Sequence, residues 1–214
     1  MASKKERPTC RLVAVDGNGT LLGADGSSVS DFTREVIQRL ESSGIPVVLA
    51  TARPLEKAKL TVKQVGMKHY VVPENGARAV RLEDDKALYE LWIDGQDSAQ
   101  PLRRVREALH GRCFFAQLTA DGGLIQEDHP WLQEEIMKAD ALKFFRTPVQ
   151  DLVLALVEGM QCAKTYLHVA DTPDFAACLA EVKVAAGDGW EVREIKQGPF
   201  PGIVNTCEIQ SSRV

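Results

Sequence analysis

The chain has 214 residues, of which 44% are hydrophobic and 26% charged, a composition that is typical of a globular protein and excludes the disordered and fibrous classes. The formal net charge of -4 and the pI near 5.6, with no Lys- or Arg-rich stripe, argue against a nucleic-acid partner. No segment approaches the ~20 consecutive apolar residues of a membrane-spanning helix, so we expect no membrane partner either.

The first third of the chain alternates short apolar segments with amphipathic ones, which predicts parallel strands connected by helices. The predicted strands are residues 11–15, 45–50 and 70–72. The first predicted helix is capped by Ser30 or Asp31 and ends at Gly44, and its apolar face holds Phe32, Val36, Ile37 and Leu40. The second predicted helix begins at Pro54 and ends at Gly66.

After residue 76 the pattern changes to paired strands and mixed elements, which indicates a second α/β domain. A hairpin of strands 77–82 and 87–93 opens it. The remaining predicted strands are 113–119, 124–126, 165–170, 190–195 and 203–209, and the predicted helices are 102–109, 131–142, 149–157 and 175–185.

An acidic residue, Asp16, follows the first apolar strand and precedes a glycine-rich turn. Ligands of open α/β sheets bind at the carboxyl ends of the strands, which is where this side chain is predicted to lie. Gly17 and Gly19 let the backbone approach an anion closely, and the amide groups of such a turn form an anion-binding nest. The alternative is that a strand ending in Asp-Gly is only a turn.

A hydroxyl side chain, Thr51, ends the next apolar strand, and a helix begins directly after it. Helix N-termini favour anions, so Thr51 and Arg53 are candidate phosphate ligands. The alternative is that Thr51 only caps the helix, as Ser and Thr often do.

Together these segments resemble the haloacid dehalogenase superfamily, in particular its Cof-like sugar-phosphatase branch. The resemblance spans residues 11 to about 93 and rests on Asp16, on Gly19-Thr-Leu-Leu22, on Gly44-Ile-Pro-Val-Val-Leu-Ala-Thr-Ala-Arg-Pro54 and on Asn75-Gly-Ala77. It implies a Rossmann-like α/β core with a parallel sheet and an inserted α/β cap domain. The implied divisions are a core domain at 1–76, a cap at 77–202, and the start of the return to the core at 203–214.

In this family the first Asp attacks phosphorus to form an aspartyl-phosphate, and Mg2+ screens the charges. The resemblance therefore implies that Asp16 is the nucleophile and a metal ligand. It also implies that Asn18 lies at the catalytic position two residues on and offers its backbone carbonyl to Mg2+. Gly17, Thr51 and Arg53 are implied to bind the phosphate, and the implied substrate is a small phosphorylated metabolite such as a sugar phosphate.

The chain departs from the family at Asn18, where the family has an acid–base Asp. An amide transfers no proton, and general acid–base catalysis contributes ~100-fold to ~10,000-fold, so we expect impaired activity. The family's Lys and Gly-Asp loop do not follow the last predicted strand, so we interpret the core as C-terminally incomplete, with an open sheet edge available for self-association. The alternatives are a noncatalytic or truncated binding protein and a phosphomannomutase-like phosphotransferase, the latter suggested by Pro73-Glu-Asn-Gly76.

The five cysteines are scattered and form no CxxC pair, which indicates neither a disulfide framework nor a zinc site. The charged first residues lack the apolar core of a signal peptide. We therefore expect a cytoplasmic location.

Overall fold

The structure, a computed structural model, describes residues 10–23, 26–132, 144–170, 172–195 and 205–213. The chain divides into two compact units, residues 1–90 and 91–214. Both units combine helices and strands, so the predicted α/β class is confirmed. Among the described helices, none has the length and apolar character that a membrane span requires.

The first unit is a five-stranded sheet with two helices. Its elements are β1 (Val13–Asp16), α1 (Asp31–Ser42), β2 (Val47–Ala50), α2 (Leu55–Val65), β3 (Tyr70–Val72), β4 (Arg78–Arg81) and β5 (Lys86–Glu90), with a short 3-10 turn at Glu74–Gly76. The strand order is β1-β2-β3-β4-β5. The first three strands are parallel, and the last two pair antiparallel.

The helices of the first unit begin and end where the sequence predicts. Ser30 caps α1 by accepting a hydrogen bond from the Thr33 amide at 3.1 Å, and Gly66 ends α2 in the left-handed conformation that a residue without Cβ adopts most easily. Phe32, however, was wrongly placed on the buried face of α1. It is 76% exposed, whereas Ile37 packs into the core of this unit.

The second unit holds a seven-stranded sheet. Its strands are β6 (Ile93–Asp94), β7 (Cys113–Thr119), β8 (Leu124–Gln126), β9 (Thr147–Val149), β10 (Gln161–Val169), β11 (Trp190–Ile195) and β12 (Thr206–Ser211), and its helices are α3 (Gly95–Ala108), α4 (Leu152–Ala155) and α5 (Phe175–Ala186). The order is β11-β12-β10-β7-β8-β9, and β6 pairs with β10. The three helices in the described part of this unit contribute to the apolar core beside the sheet, and this core also contains Cys113, Cys162, Cys178 and Cys207.

The observed division of the chain differs from the predicted one in two places. The hairpin of β4 and β5 extends the sheet of the first unit, because Val80 pairs with Val71 and is buried in that core. The final strand β12 does not join the first sheet: it pairs with both β10 and β11, and its Ile209 packs into the second core. The resemblance to the family predicts that residues 203–214 return to the core domain. The prediction is wrong for their described part, which belongs to the second unit.

A predicted helix of the second unit also has different bounds in the structure. Helix α3 begins at Gly95, seven residues before the predicted start, because Asp94 caps it through the Gln96 amide at 2.8 Å. Pro101 lies inside this helix. The predicted helix at 131–142 falls almost entirely outside the described residues.

Candidate functional site

Asp16 and Thr51 lie at neighbouring strand ends, as the sequence predicts. Strands β1 and β2 are parallel, and Asp16 pairs in register with Ala50, the residue before Thr51. Asp16 is exposed, whereas Thr51 is 7% exposed. The Thr51 amide donates to the Val72 carbonyl at 2.9 Å, which fixes the end of β2 against β3. The sheet therefore presents a carboxylate and a hydroxyl from adjacent strands at one edge.

The turn after Asp16 is closed by backbone hydrogen bonds and anchored in the core. The amides of Leu21 and Leu22 donate to the Gly17 carbonyl at 3.1 and 2.9 Å, and both leucines are buried. Gly19 has φ of 73°, a conformation that favours glycine. Gly17 has no such requirement, and a Cβ placed there would lie 3.5 Å from Thr51 Oγ1. The space next to the Thr51 hydroxyl is thus bounded by the Gly17 backbone.

Thr51 is not the cap of α2. Its Oγ1 accepts a hydrogen bond from the Arg53 amide at 3.3 Å, two residues on, and α2 has Pro54 at its N-cap with no side-chain cap bond. A hydroxyl that accepts one bond still has a proton to donate. The site geometry is therefore compatible with donation from Thr51 to a bound oxyanion.

Arg53 links three separate parts of the first unit. Its guanidinium donates to Asn18 Oδ1 at 2.6 Å, to the Gly26 carbonyl at 2.6 Å and to Thr61 Oγ1 at 3.1 Å. Burial lowers the pKa of Arg53 and the nearby charge of Asp16 opposes this shift. An arginine stays protonated in proteins, so a positive charge is held beside Asp16.

Glu74 is a buried carboxylate that the sequence analysis did not single out. It is 2% exposed and accepts two hydrogen bonds from Arg78, both at 2.8 Å. Its Oε1 also accepts from the Leu55 amide at 3.1 Å. The N-terminus of α2, which we expected to favour a phosphate, therefore already has an anionic partner.

The turn that carries Glu74 is bonded directly to the Thr51 segment. The Glu74 amide donates to the Arg53 carbonyl at 2.9 Å, and the Asn75 amide donates to the Thr51 carbonyl at 3.2 Å. Glu74 and Asn75 both have φ of 58°, which is uncommon for residues other than glycine. The segment Pro73-Glu-Asn-Gly76 contains the sequence signal for this turn, because an Asn-Gly pair is typical of left-handed turns.

The metal ligands available in the described part of the first unit are few. Asp16 offers an exposed carboxylate, and the resemblance to the family implies a second ligand, the backbone carbonyl of Asn18. Two other carboxylates are engaged elsewhere: Glu74 with Arg78, and Glu41 with His69 at 3.0 Å. The described residues contain no cluster of three or more His, Cys, Asp or Glu side chains suited to a metal. Mg2+ is commonly held by one or two carboxylates, with water and substrate phosphate completing its shell, so this donor set fits a weak magnesium site.

The segment Asp171-Thr-Pro-Asp174, which is acidic and follows an apolar strand, has a structural role in its described part. Asp174 Oδ1 accepts a hydrogen bond from the Ala177 amide at 3.0 Å and so caps α5. Asp171 lies outside the described residues.

Comparison with known proteins identifies the family of this chain. A family model for haloacid dehalogenase-like hydrolases matches residues 13–192. The 5-amino-6-(5-phospho-D-ribitylamino)uracil phosphatase YitU of Bacillus subtilis is 35% identical over 191 residues, which are 86% of this chain and 68% of that protein. A relative from Buchnera aphidicola is 34% identical over 83 residues, 39% of this chain and only 30% of its own length.

Solved structures show the same fold at low sequence identity. A haloacid dehalogenase-like hydrolase from Bacteroides thetaiotaomicron has a TM-score of 0.67 at 17% identity, over 95% of this chain and 72% of its own. A sugar phosphatase of subclass IIB has a TM-score of 0.62 at 13% identity, over 94% of this chain and 70% of its own. The family match over most of the chain and the identity to YitU show that this protein belongs to the haloacid dehalogenase-like hydrolases.

Proposed function

We propose that this protein is a Mg2+-dependent phosphatase of small phosphomonoesters in which Asp16 is the nucleophile. The observation that carries the proposal is that Asp16 and Thr51 lie at the carboxyl ends of adjacent parallel strands, with the positive charge of Arg53 nearby. A carboxylate attacks phosphorus when nearby groups neutralise the approaching negative charges. Family membership supports the same chemistry.

In the first step the Asp16 carboxylate attacks phosphorus, the bond from phosphorus to the leaving oxygen breaks, and its electron pair stays on that oxygen. Thr51 donates its hydroxyl proton as a hydrogen bond to a phosphoryl oxygen. Mg2+, held by the Asp16 carboxylate and the Asn18 carbonyl, would neutralise charge on the phosphoryl group. Water then attacks phosphorus, the bond to Asp16 breaks and the carboxylate is regenerated. The proton that water loses passes to phosphate or solvent, and solvent protonates the leaving oxygen.

The substrate class is a small sugar-like phosphate. The relative YitU carries in its name a phosphorylated ribityl chain, which is a monoester of the same kind. Asn18 supplies no proton for the leaving group, so we expect turnover below that of an enzyme with an acid at this position by ~100-fold to ~10,000-fold.

A panel of phosphomonoesters assayed with Mg2+ and with a chelator tests the proposal. We expect phosphate release that requires Mg2+, is abolished in Asp16→Asn and falls in Thr51→Ala. Turnover that is unchanged by Asp16→Asn would contradict the proposal.

The second candidate is a noncatalytic phosphate-binding protein, which the Asn18 side chain favours. Beryllium fluoride with Mg2+, a mimic of the phosphoryl group, distinguishes the two functions when combined with the activity panel. A raised melting temperature without turnover of any substrate supports binding alone.

A further inference from the structure

The orientation of the Asn18 carboxamide is set by Arg53. Its Oδ1 lies 2.6 Å from Arg53 Nη2. A guanidinium has five donors and no acceptor, so the amide oxygen, and not the amide nitrogen, must face it. The two N–H groups of Asn18 Nδ2 therefore point away from Arg53.

Arg53 is itself held in place by two further hydrogen bonds, and it therefore fixes the orientation of the Asn18 amide. Its other bonds, to the Gly26 carbonyl and to Thr61 Oγ1 on α2, fix the guanidinium from two sides. Gly26 has φ of 67°, so the carbonyl is presented by a backbone conformation that favours glycine. Arg53 is thus a positioning residue for the side chain two residues beyond the nucleophile.

Resting on the proposed function, we infer that this site selects substrates by the acidity of their leaving group and hydrolyses aryl and acyl phosphates far faster than alkyl phosphates. The carboxamide of Asn18 donates a hydrogen bond to the leaving oxygen but gives up no proton. A phenolate or a carboxylate leaves as a stable anion and needs no proton. An alkoxide is strongly basic and must be protonated as the bond breaks.

With Asn18 as a hydrogen-bond donor only, the bonds and protons of each step can be followed. For an aryl phosphate, Asp16 forms the bond to phosphorus, the bond to the phenolic oxygen breaks, and phenolate departs with the electron pair. In the second step water attacks phosphorus, the bond to Asp16 breaks, and the proton that water loses passes to phosphate or solvent. Asn18 accepts no proton from this water, so the second step is also slower than in a site with a carboxylate at position 18.

The preference for aryl over alkyl phosphates should equal the rate enhancement that a general acid at position 18 would have contributed. That contribution is ~100-fold to ~10,000-fold, and an alkyl phosphate loses it in full whereas an aryl phosphate loses little. The ratio of aryl to alkyl kcat/KM in the natural chain should therefore exceed the same ratio in Asn18→Asp by ~100-fold to ~10,000-fold. A ratio of ratios cancels any difference in the fraction of folded or metal-loaded protein.

The test measures kcat/KM with Mg2+ for para-nitrophenyl phosphate, phenyl phosphate and glycerol phosphate, whose leaving groups are increasingly basic. We expect a steep fall along the series for the natural chain and a shallow one for Asn18→Asp. Asn18→Leu is the matched control: it has a similar volume and supplies no proton, so it should keep the steep fall at lower rates.

Mass spectrometry after mixing with acetyl phosphate gives a second readout. We expect the natural chain to accumulate a covalent phosphoryl adduct and Asn18→Asp to show less of it. Equal slopes for the natural chain and Asn18→Asp would overturn the inference while leaving the phosphatase proposal intact. The absence of both turnover and adduct with every substrate and variant would overturn both.

Discussion

The buried pair of Glu74 and Arg78 offers a stability test of how the site is held. Glu74→Gln keeps the side-chain volume but replaces one carboxylate oxygen with an amide nitrogen. Because both oxygens accept from Arg78 at 2.8 Å, the new amide N–H groups would face N–H groups of the guanidinium, and the negative charge of Glu74 would be lost. The side chains are only 3% and 13% exposed, so water screens this loss poorly. Removing one partner of a buried ion pair costs ~3–5 kcal/mol.

That cost is a large fraction of the ~5–15 kcal/mol that stabilises a typical domain. Urea unfolding followed by circular dichroism measures it. With a denaturant slope of ~1–3 kcal/mol per molar, a loss of ~3 kcal/mol lowers the midpoint by ~1–3 M. Replacing both partners, as in Glu74→Leu with Arg78→Met, should recover much of the loss because no charge is then buried alone.

The chain contains a matched surface control. Arg81 and Asp84 form the same two-bond pair, at 2.9 and 2.7 Å, with both side chains well exposed. Water screens this pair, so Asp84→Asn should shift the unfolding midpoint very little. A midpoint for Glu74→Gln that falls no further than that of Asp84→Asn would refute the reasoning.

Three further predictions concern separate features of the two units. Burial, with the nearby His168, lowers the pKa of His129 to about 3 from 6.5. The unfolded chain therefore binds a proton at this residue that the folded chain does not bind between these values. As the pH falls below 6.5, the free energy of unfolding should decrease more steeply in the natural chain than in His129→Gln, by ~1.4 kcal/mol per pH unit. Gly122 and Gly123 have φ of 115° and 121°, but only a Cβ at Gly123 would meet a backbone atom, a carbonyl oxygen at 2.4 Å. Urea unfolding should therefore show Gly123→Ala less stable than Gly122→Ala by ~1–3 kcal/mol, and equal stability would contradict the clash. Thr51→Ser should retain more phosphatase activity than Thr51→Ala, because we propose that the hydroxyl contacts the phosphate, and equal activity of the two variants would exclude that role.

The parts of the site that follow from strand order could be predicted from the sequence. Two apolar segments, each ending in a polar residue and followed by a helix, place Asp16 and Thr51 together because the carboxyl ends of parallel strands meet at one edge. The family's motif then identifies Asn18 as the changed position. Local sequence patterns sufficed because each of these placements depends on one strand and the turn after it.

The contacts that hold the site could not be predicted in the same way. Arg53 reaches Asn18 and Thr61 across the unit, and Glu74 reaches Leu55; such pairings depend on three-dimensional packing, which periodicity does not encode. The same holds for β12, whose apolar alternation fits either sheet and whose partners β10 and β11 are chosen by the second core.

Trapping of the phosphorylated protein tests the central claim, that Asp16 is the nucleophile, most directly. An acyl phosphate is reduced by borohydride to the alcohol, so a phosphorylated Asp16 becomes homoserine. We predict that peptide mapping after incubation with acetyl phosphate, Mg2+ and borohydride finds homoserine at position 16 and none in Asp16→Asn. Homoserine at another aspartate, or phosphate release with position 16 unmodified, would contradict the account.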